Sequence, residues 1–251
     1  MPYADNHGVR IHYQVEDDGP PLILQHGFTQ SLRRWYLHGY VDALKSEYQL
    51  ILVDARGHGK SDKPHDPDAY ALPSRVGDVV AVLEELAISR AHYWGYSMGG
   101  WIGFGMAKYV PERILSLTIG GSDPYERILP THHRLDGNDP NAFMNALLGY
   151  LGIDPATIPP AIRDEMLAND FQALAAFQRG RPSIADVLPN MTMPCLLYAG
   201  EPDPIFPKTQ ESAKHIPNAT FFSLPELDHG AAFRESGLVL PHVTKFLQEN
   251  S

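Results

Sequence analysis

Residues 95–100 read Gly95-Tyr96-Ser97-Met98-Gly99-Gly100, which sets Ser97 in a G-x-S-x-G pattern between the apolar run 91–94 and a stretch of helical character. A strand-to-helix turn of this kind lifts a serine hydroxyl clear of the backbone. Its glycines have a steric origin, because the sharp turn brings the residues two before and two after the serine together. A serine hydroxyl is a weak nucleophile until a base takes its proton, and an imidazole base needs a partner that fixes its tautomer. Five residues with three fixed positions also recur by chance, so the remaining sequence has to supply that base and that acid.

The elements that would position such groups follow from hydrophobic periodicity. Two short strands are expected over 2–5 and 9–15, joined at Asn6-His7-Gly8. The brief apolar runs 21–25, 48–54, 91–94, 114–119, 194–199 and 219–224 read as strands, most of them buried on both faces. Helices are expected over 35–46, 72–88, 98–109, 207–215 and 238–249. The helix at 98–109 contains Gly99, Gly100, Gly103 and Gly105, which lets its backbone lie close to a sheet. Strands alternating with helices imply a mostly parallel central sheet with helices on both faces, an α/β fold. The alternation breaks between 122 and 194, where a crossover needs far fewer residues. Segments 142–151 and 162–177 there carry helical periodicity, so residues 123–184 read as an inserted helical cap on a core formed by 1–122 and 185–251.

In an open α/β sheet functional groups gather beyond the carboxyl ends of the strands. The segments found there are His26-Gly27-Phe28, Asp54-Ala55-Arg56-Gly57, Ser97, Asp123, Asp203 and His229. They supply a nucleophile, an acid and a base in the order Ser97, Asp203, His229, with Glu201 and Asp123 as alternative acids and Asp228 as a surface carboxylate. Attack by Ser97 on a carbonyl would place negative charge on oxygen, where the backbone N–H groups of Phe28 and Met98 could hold it. The turn 54–61 reads as structural support for the His26-Gly27-Phe28 segment. Tyr96, Trp101, Tyr125, Phe143 and Leu147 are the candidates for the walls of an apolar substrate pocket.

Composition narrows the partners. Thirty acidic residues against twenty basic ones give a formal charge of −10, which disfavours nucleic acid and anionic membranes. The single cysteine, Cys195, excludes an intramolecular disulfide and a cysteine-based metal cluster, and its apolar neighbours make it a buried strand residue. The adjacent His132 and His133 point apart and read as a solvated loop, so neither a metal nor another cofactor is expected. No apolar run reaches about 18 residues and no secretory leader is evident, which leads to the expectation of a cytoplasmic protein, monomer or homodimer.

With these pieces in order, the chain resembles the α/β-hydrolase superfamily over nearly its whole length, most closely small serine esterases and enol-lactonases. The resemblance rests on His26-Gly27-Phe28, Asp54-Ala55-Arg56-Gly57-His58-Gly59, the turn at Ser97, Gly200-x-x-Asp203 and the late His229. It implies cleavage of small, largely apolar carboxylic esters through an acyl-enzyme, or of lactones by the same three residues. Carbon–carbon hydrolysis and perhydrolysis are more distant possibilities on this machinery. Some members of the fold act instead as slow-turnover small-molecule receptors or regulators.

Overall fold

The runs Pro21–Gln25 (β3), Gln49–Val53 (β4), Ala91–Tyr96 (β5), Ile114–Gly120 (β6) and Cys195–Gly200 (β7) are too short for most helices and largely apolar, and they form the middle of one sheet. Tyr3–Asn6 (β1), Val9–Glu16 (β2) and Ala219–Leu224 (β8) complete it, in the order β1-β2-β4-β3-β5-β6-β7-β8. From β4 to β8 every pair is parallel, while β1 pairs with β2 and β2 with β4 antiparallel. The computed structural model describes residues 2–126, 137–178 and 181–251. The alternation of elements implied this mostly parallel α/β sheet, and its topology is the α/β-hydrolase fold that the resemblance implied.

Two layers cover the sheet. On one face lie Leu72–Glu85 (α3) and Met98–Tyr109 (α4), whose buried residues pack with Ile23, Ile51, Tyr93 and Leu117. The other face is covered by Arg33–Leu37 (α1), Tyr40–Leu44 (α2) and Ser236–Glu249 (α10 at the end of the chain). There Trp35, Tyr40, Trp94 and Phe233 meet largely edge to face, with ring centroids 5.0–5.2 Å apart.

The expected single helix over 35–46 is instead the pair α1 and α2. Gly39, at φ 76°, turns the chain between them, a left-handed conformation that stops a helix. The insertion between β6 and β7 holds Pro140–Tyr150 (α5), Pro160–Leu167 (α6) and Phe171–Phe177 (α7). The continuous helix expected over 162–177 is broken at Asp170, whose side chain accepts from the N–H of Ala173 and starts α7 as a fresh N-cap. Phe206–His215 (α8) and Ala231–Arg234 (α9) complete the α-helices among the described residues.

Parallel strands end together, so the loops after β3, β5, β7 and β8 share one edge of the sheet. That shared edge brings residues 26, 97, 203 and 229 into one neighbourhood.

Candidate active site

The backbone at Ser97 has φ 52° and ψ −108°, a conformation that L-residues avoid. The Ser97 N–H donates to the Gly120 carbonyl at 2.8 Å, and its carbonyl accepts from Trp101 N–H at 3.1 Å, the first bond of α4. The turn therefore joins β5 to α4 with no residue to spare. A Cβ at position 95 would sit 2.2 Å from the Gly99 carbonyl oxygen, and one at position 99 would sit 2.1 Å from that of Gln25. The two outer glycines of the pattern are thus required by contact with each other and with the neighbouring strand.

His229 follows β8, and its Nε2 lies 2.9 Å from Ser97 Oγ. Its Nδ1 lies 2.6 Å from Asp203 Oδ2. A carboxylate can only accept, so Nδ1 carries the proton and the Nε2 lone pair is left facing the serine hydroxyl. The other Asp203 oxygen, Oδ1, accepts from Ile205 N–H at 2.9 Å, which fixes the carboxylate plane. Tyr96 O–H donates to the His229 carbonyl at 2.5 Å and anchors the loop. Asp203 and His229 are buried, where the charge on an imidazolium formed during reaction would be weakly screened from the carboxylate. The alternative acids lie elsewhere: Glu201 accepts from Ser223 Oγ, and Asp123 accepts from Tyr125 N–H beside Arg181. Asp228 accepts from Ala231 N–H at the start of α9.

Met98 and Phe28 both border the cavity at Ser97, and among the described residues no protein acceptor takes either backbone N–H. Position 27 adjoins the nucleophile, since a Cβ there would lie 3.6 Å from Ser97 Cβ. His26 explains how this segment is held. Its Nε2 accepts from Ala55 N–H at 3.1 Å, so its Nδ1 is the donor to the Gly27 carbonyl at 2.8 Å. Beneath it, Asp54 accepts from His12 Nδ1 and from the N–H groups of Leu32 and Lys60. Burial pushes the Asp54 carboxyl up, but these bonds and the nearby His26 outweigh it and hold the group below its usual range.

His58 sits in the same layer, edge-on to Phe28 and Phe177, with Nδ1 donating to the Arg56 carbonyl. Burial first, and then the neighbouring His26, push its pKa down to about 3. The unfolded chain therefore binds a proton at His58 below roughly pH 6.5 that the folded chain refuses. Stability must fall as pH drops through that window, by about 1.4 kcal/mol per pH unit for this group alone. Urea unfolding at pH 7 and 4.5 is expected to show a loss that is smaller in His58→Gln by about 2 kcal/mol. Equal losses in both proteins would refute a neutral buried His58.

Above Ser97 lies a cavity of about 150 Å³ between the sheet edge and the insertion. Of the expected wall residues, Tyr96, Trp101 and Leu147 border it. Tyr125 and Phe143 do not. Phe143 is fully buried inside the insertion, packed on Phe171 and Phe28, because its face of α5 points into the insertion's own core. Tyr125 is half-buried against the main core. Wall residues that were not among the named candidates include Arg75, Leu148, Met166, Phe177, Arg181 and Phe233. Arg75 had a legible signal: it interrupts the apolar stripe of Leu72, Val76 and Val79 on α3.

Asn169 Nδ2 donates to the Thr29 carbonyl at 3.0 Å, and Phe28 packs on Phe177 at 5.0 Å, so the insertion is fastened to the segment after β3. No described helix is long and apolar enough to cross a membrane. His132 and His133 lie outside the described residues, and among those that are described no cluster of three potential metal ligands occurs.

Comparison with known proteins agrees with the fold. A Bacillus subtilis (strain 168) protein provisionally named 2-succinyl-6-hydroxy-2,4-cyclohexadiene-1-carboxylate synthase is 26% identical over 94% of this chain and 95% of its own. The cis-3-alkyl-4-alkyloxetan-2-one decarboxylase of Shewanella oneidensis is 27% identical over 98% and 88%. Among solved structures, the enol-lactonase of Burkholderia xenovorans LB400 superposes with a TM-score of 0.84 at 23% identity, covering 98% of this chain and all of that one. Residues 20–150 match the profile of the alpha/beta hydrolase fold, and the chain belongs to that family.

Proposed function

We propose that the protein is a serine hydrolase that cleaves small carboxylic esters through an acyl-enzyme. The observation that carries this reading is the chain of contacts from Ser97 Oγ to His229 Nε2 and from His229 Nδ1 to Asp203, at 2.9 and 2.6 Å. Ser97 Oγ attacks the ester carbonyl while its proton passes to His229 Nε2. The tetrahedral oxyanion is held by the N–H groups of Met98 and Phe28, at the positive end of α4. Collapse expels the alcohol, which takes the proton from Nε2, and water then releases the acid by the same base. The insertion covers the cavity as a cap over 123–184 and excludes bulk water from these steps.

A ring ester fits the same machinery, and the solved enol-lactonase and the oxetanone decarboxylase named above both act on cyclic esters by name. Lactones are therefore the second substrate class to assay. The test of the mechanism is covalent: a 4-nitrophenyl organophosphate should label one serine per chain, recovered in the peptide that contains Ser97, and stop ester turnover in proportion. Labelling elsewhere, or turnover that survives complete labelling, would remove Ser97 as the nucleophile. A receptor would instead be stabilised by ligands without multiple turnover of any ester or lactone.

A further inference from the structure

We propose, on the reading of this cavity as an ester or lactone site, that its wall at Arg75, Trp101 and Arg181 binds a carboxylate carried by the substrate. The true substrate is then an ester or lactone with a largely apolar body and one acidic end. Both arginines border the cavity, and no aspartate or glutamate does among the described residues, although the chain as a whole carries a formal charge of −10. A site for a wholly apolar substrate has no use for two guanidinium groups.

Arg75 is 3% exposed and sits on α3 with its Cζ 3.5 Å from the Phe177 ring centre and 5.0 Å from that of Trp101. Its Nη2 donates to the Phe177 carbonyl at 3.0 Å. Asp78, the carboxylate whose charge acts on Arg75, is already engaged by Arg56 at 2.5 and 2.7 Å and by Asn6 at 2.8 Å. Among the described residues no carboxylate lies within ion-pair distance of Arg75, and its buried Nε has no acceptor. A buried cation without an anion is expensive, and the arrangement is relieved when an anion enters. Burial, and then the adjacent Arg56, bring the Arg75 pKa down to about 9, so it still carries its charge at neutral pH.

The second cation completes the wall. Arg181 has its Cζ 5.1 Å from the centre of the same Trp101 ring, and it donates to the Asp123 carbonyl with the Asp123 carboxylate 3.9 Å away. Trp101 lies one helical turn beyond Ser97 on α4, and its indole N–H is buried with no acceptor among the described residues. Two guanidiniums and an indole N–H are donors only, and a carboxylate is the acceptor-only group that matches them.

The experiment compares kcat/KM within isosteric pairs. Mono-4-nitrophenyl glutarate against 4-nitrophenyl glutaramate places the charge on the acyl side. 3-Acetoxybenzoate against 3-acetoxybenzamide places it on the leaving group. Rates are corrected for uncatalysed hydrolysis. The wild-type protein is expected to prefer the carboxylate at least fivefold in one pair, and Arg75→Met and Arg181→Gln should each cut that ratio at least threefold. Ratios within one variant are unaffected by a general loss of activity, so a merely structural arginine would leave them unchanged. A preference below fivefold in both pairs, or one that survives both substitutions, overturns the proposal, while turnover of the neutral esters would leave the esterase reading standing. If none of the four is turned over, that reading fails, and calorimetric titration with glutarate and 3-hydroxybenzoate against their amides decides the subsite. Selective carboxylate binding that weakens tenfold in Arg75→Met supports it, and equal or absent binding overturns it.

Discussion

Ser97→Ala is expected to lower kcat towards 4-nitrophenyl esters by roughly 10⁴–10⁶-fold, equivalent to about 5.5–8 kcal/mol of lost transition-state stabilisation. The substitution removes the hydroxyl oxygen that lies 2.9 Å from His229 Nε2 and that would form the covalent bond to the acyl carbon. It leaves the amides of Met98 and Phe28 and the walls of the cavity in place. Residual turnover then measures what those amides and substrate positioning do without a nucleophile. The loss should fall on kcat, with KM little changed, because the hydroxyl acts in the transition state more than in binding. Alanine has the same Cβ as serine and meets the same strain at φ 52°, so thermal stability should change little. A variant that keeps more than about one per cent of wild-type activity would exclude Ser97 as nucleophile.

Much of this arrangement was legible in the residues. The buried strands announced themselves as apolar runs bounded by glycine and proline, and the order of loops after them brought 97, 203 and 229 to one edge without any pair of those residues being near in sequence. Gly95 and Gly99 were readable because the crowding that demands them is a property of the turn itself. What could not be read was whatever depends on which face a helix turns to its neighbour. Phe143 and Leu147 share α5, yet one fills the insertion's own core and the other borders the cavity. The helix boundaries at Gly39 and Asp170 were missed because apolar spacing ran across them, and a local signal, a left-handed glycine or a capping carboxylate, prevailed over periodicity. Arg75 was the informative irregularity: a charge on an apolar stripe is either an error of phase or a group with something to bind.

Asp203→Asn is expected to lower kcat by about 10⁴-fold, more than the loss of a single negative charge in a polar site would explain. The reason lies in the second oxygen of Asp203, which accepts from Ile205 N–H at 2.9 Å. An asparagine keeps that bond only by presenting its carbonyl to Ile205, and this turns its NH₂ towards His229 Nδ1. Nδ1 must then accept, so the imidazole proton moves to Nε2. The histidine is held in the tautomer that offers Ser97 a donor where it needs a base, and the hydroxyl can no longer be deprotonated by it. The alternative orientation restores the tautomer but points the amide NH₂ at the Ile205 N–H, leaving two buried donors face to face. Glu201→Gln, in the same loop, faces Ser223 and should leave kcat within about threefold of wild type. Stopped-flow measurement of acylation on both variants separates the two carboxylates, because the tautomer defect slows the first chemical step and not the release of product. If Glu201→Gln proves the more damaging of the two, the acid has been placed on the wrong residue of the loop. A small effect from both would mean that His229 is oriented by the Tyr96 contact and its own backbone, with no carboxylate required.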